Sequence, residues 1–536
     1  MAGAPTAGTV MKRVWLVFAV LAGVIMGPLW RPGYILTLDM AWPEHIPWRP
    51  ELTNLFPLHA ILYGLNQFLP SMVLQKAILA GCFLMAGVGA FRLARGQTSQ
   101  LAAYAAGLIY VVNPFTYTRL MMGQWLVLLG YAILPWLVRS LVTLLERPGF
   151  WSSCRLSGWL VLLGLISIHD VGLAAVLIVA VTLAWSWGHW RRLGVIARWL
   201  GLVAVVWTAA ESFWFIPLLM GRSAMAQDIA GFGADQLHAY APSGGTVGVP
   251  LNVLALQGAW TDRFGRYTLP SDTGWLFWLA FAGLMVLVGL GLVMARRRSD
   301  RLAWGLAAAG LVGWVLATGL ATTALANSLP LFRGYRDPQK WAALLALADA
   351  YLVAQGLEWW RQKRPDWMRE GAGLAVLLTL AWTPLLLWGA AGQLQSVPYP
   401  ASWAEAAHRL DTVPGQFKVL LLPWHQYLYL DFVQRVVAWP GGAFGHHQAI
   451  TSDNPELPGV WPRSSQPDND AIERHVLAMA YSGQTAGAQL SALGIRYVVL
   501  LKQADWADYD WLQHQDRLKL VGETTDWQLY QVKESP

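Results

Sequence analysis

A few ionisable residues stand out against an otherwise apolar chain. Asp39 lies in "YILTLDMAWPEHIPW" (34–48), with Glu44 five residues on, just after the first apolar run. A carboxylate there can act as general base toward an acceptor hydroxyl, with partial desolvation raising its pKa toward that task. A solvated loop acid or a helix cap reads the same way in sequence. His169 and Asp170 sit in "SIHDVG" (167–172), between two apolar runs. Ionisable groups at membrane depth are costly and usually functional. The pair can bind a metal or orient an acceptor, although its spacing matches no standard metal site, and it can equally cap a helical turn. Arg333, Arg336 and Lys340 put three cations within eight residues of "LFRGYRDPQKW" (331–341). They suit an anionic head group, because arginine forks onto phosphate oxygens. Snorkelling cations beside a helix start are the alternative. Asp337-Pro338 itself reads as an N-cap followed by proline at the first helical position. Glu211, in "WTAAESFWFIPLL" (207–219), and Asp349, in "LLALADAYLV" (344–353), lie inside apolar runs and are expected to face the bundle interior. Asp349 reads as a structural partner. Glu211 reads either that way or as part of an acceptor or metal site.

The elements that must position these groups follow from hydropathy. The chain has 536 residues, of which 56% are hydrophobic and 13% charged, too apolar for a soluble protein of this size. Apolar runs at 14–30, 72–92, 99–113, 123–145, 155–168, 171–187, 196–219, 273–295, 302–320, 339–359 and 371–392 approach or reach the length of a bilayer span. The 32 tryptophans cluster near run ends, as interfacial anchors do. The basic loops 91–97, 146–155, 189–198, 295–301 and 360–370 are assigned to the cytoplasm. Both ends of 155–187 are basic, so this stretch is expected to be two short helices meeting at "SIHDVG". That predicts eleven crossings, a cytoplasmic N-terminus and an extracytoplasmic C-terminus. Lys12 and Arg13 followed by apolar residues 14–30 read as a retained signal anchor.

On this topology the loops 31–71, 113–124 ("NPFTYTRLMMGQ"), 220–272 and 331–341 share the outer face with His169 and Asp170. Residues 55–69 show helical spacing of apolar positions and read as an interfacial helix. The loop 220–272 is glycine-rich and expected to lack a core of its own. Near 396 the composition changes: residues 396–536 carry 10 Lys+Arg against 15 Asp+Glu, net −5, and residues 1–395 carry 28 against 16, net +12. Strands are expected at 417–424, 434–439, 495–502 and 527–533, and helices at 402–410 and 470–482. The chain therefore reads as a polytopic α-helical membrane domain (1–395) followed by a soluble extracytoplasmic α/β domain (396–536).

The excess of positive charge in short loops is a topology signal and argues against nucleic acid as a partner. Two cysteines, Cys82 and Cys154, allow no disulfide framework. No phosphate loop, GxSxG, HExxH or dinucleotide fingerprint occurs, which argues against an ATP-driven pump and a soluble-type hydrolase.

Asp39 in "GYILTLDMAWP", the interfacial helix behind it, "IYVVNPFTYTRLMMGQWLVLLGYAILPW" (109–136), "ESFWFIPLL" (211–219), "FRGYRDPQKW" (332–341) and "LGIRYVVL" (493–500) together resemble the C-type (GT-C) glycosyltransferase superfamily. The likeness is to actinobacterial membrane arabinofuranosyltransferases and YfhO-like membrane proteins. Where the superfamily pairs two acids in its first outer loop, this chain has "LDMA". The resemblance implies transfer of a sugar, with inversion, from a polyprenyl-phosphate donor to a glycan, lipid or protein acceptor outside a bacterial or archaeal plasma membrane. It implies Asp39 as catalytic base and Asp170, or next Glu44, as the assisting acid. Arg333, Arg336 and Lys340 would hold donor phosphate, with Glu44, His169 and Glu211 available to an acceptor or a divalent metal. A non-catalytic assembly protein on the same fold is the rival reading. A transporter is a third, disfavoured because few charges lie at mid-span.

Overall fold

The computed structural model describes residues 7–188, 190–445, 447–458, 460 and 466–533. The chain forms two compact units. One comprises Met1–Pro28, Pro50–Leu58 and Lys76–Gln393. The other comprises Leu29–Arg49, His59–Gln75 and Leu394–Pro536.

The first unit is helical. Gly8–Trp30, Ser71–Arg95, Trp125–Glu146, Ile168–Ser186, Leu193–Leu219 and Trp275–Arg298 are long and apolar enough to cross a membrane. The pair Pro365–Trp382 and Pro384–Ala391, bent by 69°, is a seventh candidate. This is the helical make-up of a multi-pass membrane protein. The remaining expected spans are helices too: Gln100–Val111, Phe150–Ile166, Arg301–Ala317 and Ala342–Lys363. Ala342–Lys363 is buried from Ala342 through Glu358. Small residues let its neighbour come close, since a Cβ on Gly291 would strike the Leu352 carbonyl and one on Gly356 the Leu287 carbonyl.

The expected break at 167 is present. Ser167 is extended between Phe150–Ile166 and Ile168–Ser186, and its hydroxyl accepts from the His169 N–H at 3.2 Å. All five basic loops gather at one end of this unit. Arg139 donates to the Arg92 carbonyl (2.9 Å), Arg298 to the Gln97 carbonyl (2.8 Å) and Arg301 to the Trp185 carbonyl (3.0 Å). Ser153 donates to the Trp199 carbonyl at 3.4 Å. Glu358 accepts from the Ser99 N–H and pairs with Arg298 and Arg361. The loop 220–272 contains the short helices Ala224–Gly231, Ala234–Ala239 and Val249–Leu254. Ile229, Tyr240, Val253, Leu256 and Trp260 within it are buried, and Pro250 accepts from the Trp314 indole at 2.9 Å. Its order comes from packing on the helices.

The second unit is α/β. Five strands lie in the order Gln448–Ile450, Lys418–Leu422, Ile495–Leu501, Trp527–Val532, Leu518–Glu523. The first three are parallel and the last two antiparallel additions. Alternate residues Leu420, Leu422, Val498, Leu500 and Tyr530 face one core with Ile472, Val476 and Leu490 from the segment Pro467–Ala492. The expected strands and both expected helices are present. First-loop residues belong to this unit as well: Tyr34–Ile35 pairs with Ser396–Val397, and the Gln75 side chain bonds both backbone groups of Ile35.

Candidate functional site

Asp39 sits at the tip of a reverse turn. Thr37 and Met40 exchange backbone hydrogen bonds (3.3 and 2.8 Å), leaving Leu38 and Asp39 as the central residues. Leu38 takes φ +35°, a conformation that is unfavourable for a branched side chain. It is held there because its N–H donates to Val436 (2.9 Å) and its carbonyl accepts from Ala438 (2.7 Å). Residues 33–38 and Met40 are buried, whereas Asp39 is exposed. The Tyr427 hydroxyl, on the strand Tyr427–Leu430, donates to Asp39 Oδ1 at 2.6 Å. An over-determined turn thus presents one carboxylate to solvent with one oxygen oriented. Glu44 is partly buried, and its charge bears on the Tyr34 and Tyr399 hydroxyls.

In the helical unit the structure brings His169, Asp170 and the 331–341 segment together. His169 Nε2 lies 2.8 Å from the Gly334 carbonyl, and its ring meets Tyr335 edge-on at 5.0 Å. Tyr335 donates to the Ile168 carbonyl at 3.0 Å. Asp170 is buried, and a Cβ on Gly130 would collide with its carboxylate. Its Oδ2 finds no hydrogen-bond partner among the described residues. Lys340 is the cation whose charge reaches His169, Asp170 and Asp337.

The other two cations are engaged differently. Arg336 lies between the rings of Phe232 (4.0 Å) and Tyr240 (4.5 Å) and donates to Gln236 at 2.6 Å. Arg333 donates to the Ala326 carbonyl at 3.4 Å. Glu211 occupies a separate neighbourhood, accepting from the Trp214 indole and packing against Gly164.

One residue at the centre of this region escaped the sequence reading. Arg119 is fully buried on the helix Pro114–Met121. It pairs with Asp337 at 2.7 Å and also donates to Gln124 (2.6 Å) and Gln339. Burial would raise the Asp337 carboxyl, but the Arg119 and Lys340 charges overcome it and hold it below its ordinary value. Asp262 lies within range of the same guanidinium. Burial pushes it up to about 6 against hydrogen bonds from Tyr267 (2.9 Å) and the Gly258 N–H (3.0 Å). A lone arginine within "NPFTYTRLMMG" was the available signal. Asp262 gave none, being one acid in a polar loop.

Among the described residues, no group of three or more His, Cys, Asp or Glu side chains is placed to hold a metal ion. His169 Nε2 faces the Gly334 carbonyl, and the Asp170 carboxylate packs against Gly130.

No family model matches the chain, and no curated protein matches it. Solved structures do. The arabinofuranosyltransferase AftD from Mycobacteria superposes with a TM-score of 0.65 at 16% identity, over 99% of this chain and 40% of that one. A mutant of the same enzyme gives 0.63 at 16% identity, over 99% and 42%. This chain thus spans about two fifths of the length of the protein it matches. At this identity the likeness shows a shared fold over nearly the whole of this chain.

Proposed function

We propose that this protein transfers a sugar from a polyprenyl-phosphate donor to an acceptor outside the plasma membrane, with inversion, using Asp39 as general base. The observation that carries the reading is the fold shared with an arabinofuranosyltransferase over nearly the whole chain. The exposed carboxylate of Asp39, held on its pinned turn by Tyr427, supports the assignment of the base. In this reading the acceptor hydroxyl gives its proton to Asp39 Oδ2 as its oxygen attacks the anomeric carbon. The bond to phosphate breaks and polyprenyl phosphate leaves. Lys340, with Arg333, neutralises the departing phosphate. Arg336, the third member of this donor-phosphate set, also orders the 232–240 segment through its stacked rings. His169 fixes the 331–341 segment through the Gly334 carbonyl, with Asp170 assisting in the reaction. Eleven crossings, with the basic loops cytoplasmic and the α/β unit outside, complete the proposal.

A non-catalytic assembly role on the same fold is favoured by one observation, the full engagement of Arg336 by Phe232, Tyr240 and Gln236. Transfer assays on reconstituted protein with polyprenyl-phosphate sugars separate the two. Turnover that Asp39→Asn lowers by about 10²–10⁴ supports catalysis. Absence of turnover across the donor sugars, with donor still bound, supports assembly.

A further inference from the structure

At the basic-loop end of the helical unit, three arginines converge on one cavity of about 400 Å³. Arg92 comes from Ser71–Arg95, Arg139 from Trp125–Glu146 and Arg155 from Phe150–Ile166. The cavity is completed by Trp136, Trp159 and Thr143. Its wall is built by packing. The Trp136 indole donates to the Met85 carbonyl at 3.0 Å and lies against Gly89, where a Cβ would meet the ring nitrogen at 2.6 Å. Trp159 stacks on Trp136 (5.9 Å, 27°), and Arg92 lies over the same ring at 5.1 Å. Arg139 is fixed by its bond to the Arg92 carbonyl.

Among the described residues none of the three guanidiniums takes part in an ion pair. The charges of Arg92 and Arg155 bear on Arg139 more strongly than the opposing charge of Glu146. Three like charges held together and only partly offset by Glu146 repel one another, and an anion relieves this. Arginine forks suit phosphate oxygens. The indoles lie about one helical turn from the guanidiniums, Trp136 from Arg139 and Trp159 from Arg155. Leu162, about two turns beyond Arg155 on the helix Phe150–Ile166, exposes apolar surface. Charge and apolar wall therefore follow each other along the helices as head group and acyl chain do in a lipid.

We infer that this cavity binds the phosphate of an anionic membrane lipid in the leaflet facing the basic loops. The inference is independent of whether the chain transfers sugar.

The test is native mass spectrometry of the full chain released from nanodiscs of phosphatidylcholine containing a minority of phosphatidylglycerol. The wild type retains phosphatidylglycerol. The R92Q/R139Q/R155Q variant retains about tenfold less or lower still, as expected for lost charge-assisted hydrogen bonds. R191Q/R192Q, which removes exposed cations from a different basic loop, retains the wild-type amount. R155Q alone gives an intermediate loss and serves if the triple variant does not fold, as judged by its elution profile. Equal loss in R191Q/R192Q would reduce the effect to general surface charge and overturn the site. Unchanged retention in the arginine variants would overturn it too. Displacement of the lipid by millimolar inorganic phosphate would reassign the cavity to a free anion.

Discussion

Two groups of arginines, one at each end of the helical unit, are used in opposite ways. At the basic-loop end, Arg92, Arg139 and Arg155 share a cavity without a salt-bridge partner among the described residues. At the other end, Arg119 is buried against Asp337, and Arg336 is sandwiched between two rings. The first three keep their charge available, although Arg298 and Arg361 at the same end pair with Glu358. Arg119 and Arg336 use theirs in holding 232–240 and 331–341 to the helices. Composition counts these residues alike. The difference is made by partners distant in sequence, such as Asp337, 218 positions from Arg119.

Substitutions can break this contrast. Arg119→Ala leaves Asp337 buried without its ion-pair partner, with only the more distant Lys340 charge in reach, and should cost about 3–5 kcal/mol, read as a drop in the thermal unfolding midpoint in detergent. Gly130→Ala drives a methyl into the Asp170 carboxylate. About 1–3 kcal/mol is expected, with loss of order around 167–172 visible by hydrogen exchange. Arg336→Ala should cost about 1–2 kcal/mol through its stacked faces and its bond to Gln236. Arg155→Gln, at the opposite end, should change stability by no more than about 0.5 kcal/mol. A midpoint shift for Arg155→Gln as large as that for Arg119→Ala would erase the distinction.

The α/β unit sharpens the comparison with a charge that is conditional. His425 Nδ1 lies 2.6 Å from Glu456 and Nε2 lies 2.9 Å from Asp505. The two carboxylates, Glu456 foremost, outweigh burial and raise the imidazole to about 9 from its ordinary 6.5. A raised pKa favours the folded state fully below about 6.5, and the benefit is lost as pH rises through about 9. Hydrogen exchange in 451–457 should therefore accelerate between pH 7 and 10 beyond the intrinsic rate. His425→Gln should remove that extra acceleration.

Much of the fold was legible because it is local. Apolar runs, basic loops and the near-continuous apolar strands "FKVLLLPW" and "IRYVVLLK" carry their own signal. The break at Ser167 followed from charge at both ends of 155–187. What sequence did not reveal depends on pairing. Gln448–Ile450 and Leu518–Glu523 are edge strands, one three residues long and the other without a buried residue. Their register is set by neighbours. Asp39 and the His169–Asp170 pair were visible as charges out of place. The tie of Tyr427 to Asp39 spans 388 residues, and the stacking of Arg336 on Phe232 and Tyr240 depends on a loop whose order comes from the helices.

The most direct measurement is single-turnover sugar transfer by the reconstituted full chain from a polyprenyl-phosphate donor, comparing wild type with Asp39→Asn and Tyr427→Phe. A base needed only in the transition state predicts a loss of about 10²–10⁴ for Asp39→Asn with donor affinity nearly unchanged. Tyr427→Phe, which removes an orienting hydrogen bond, should lose about tenfold. Transfer by Asp39→Asn at the wild-type rate would contradict the account.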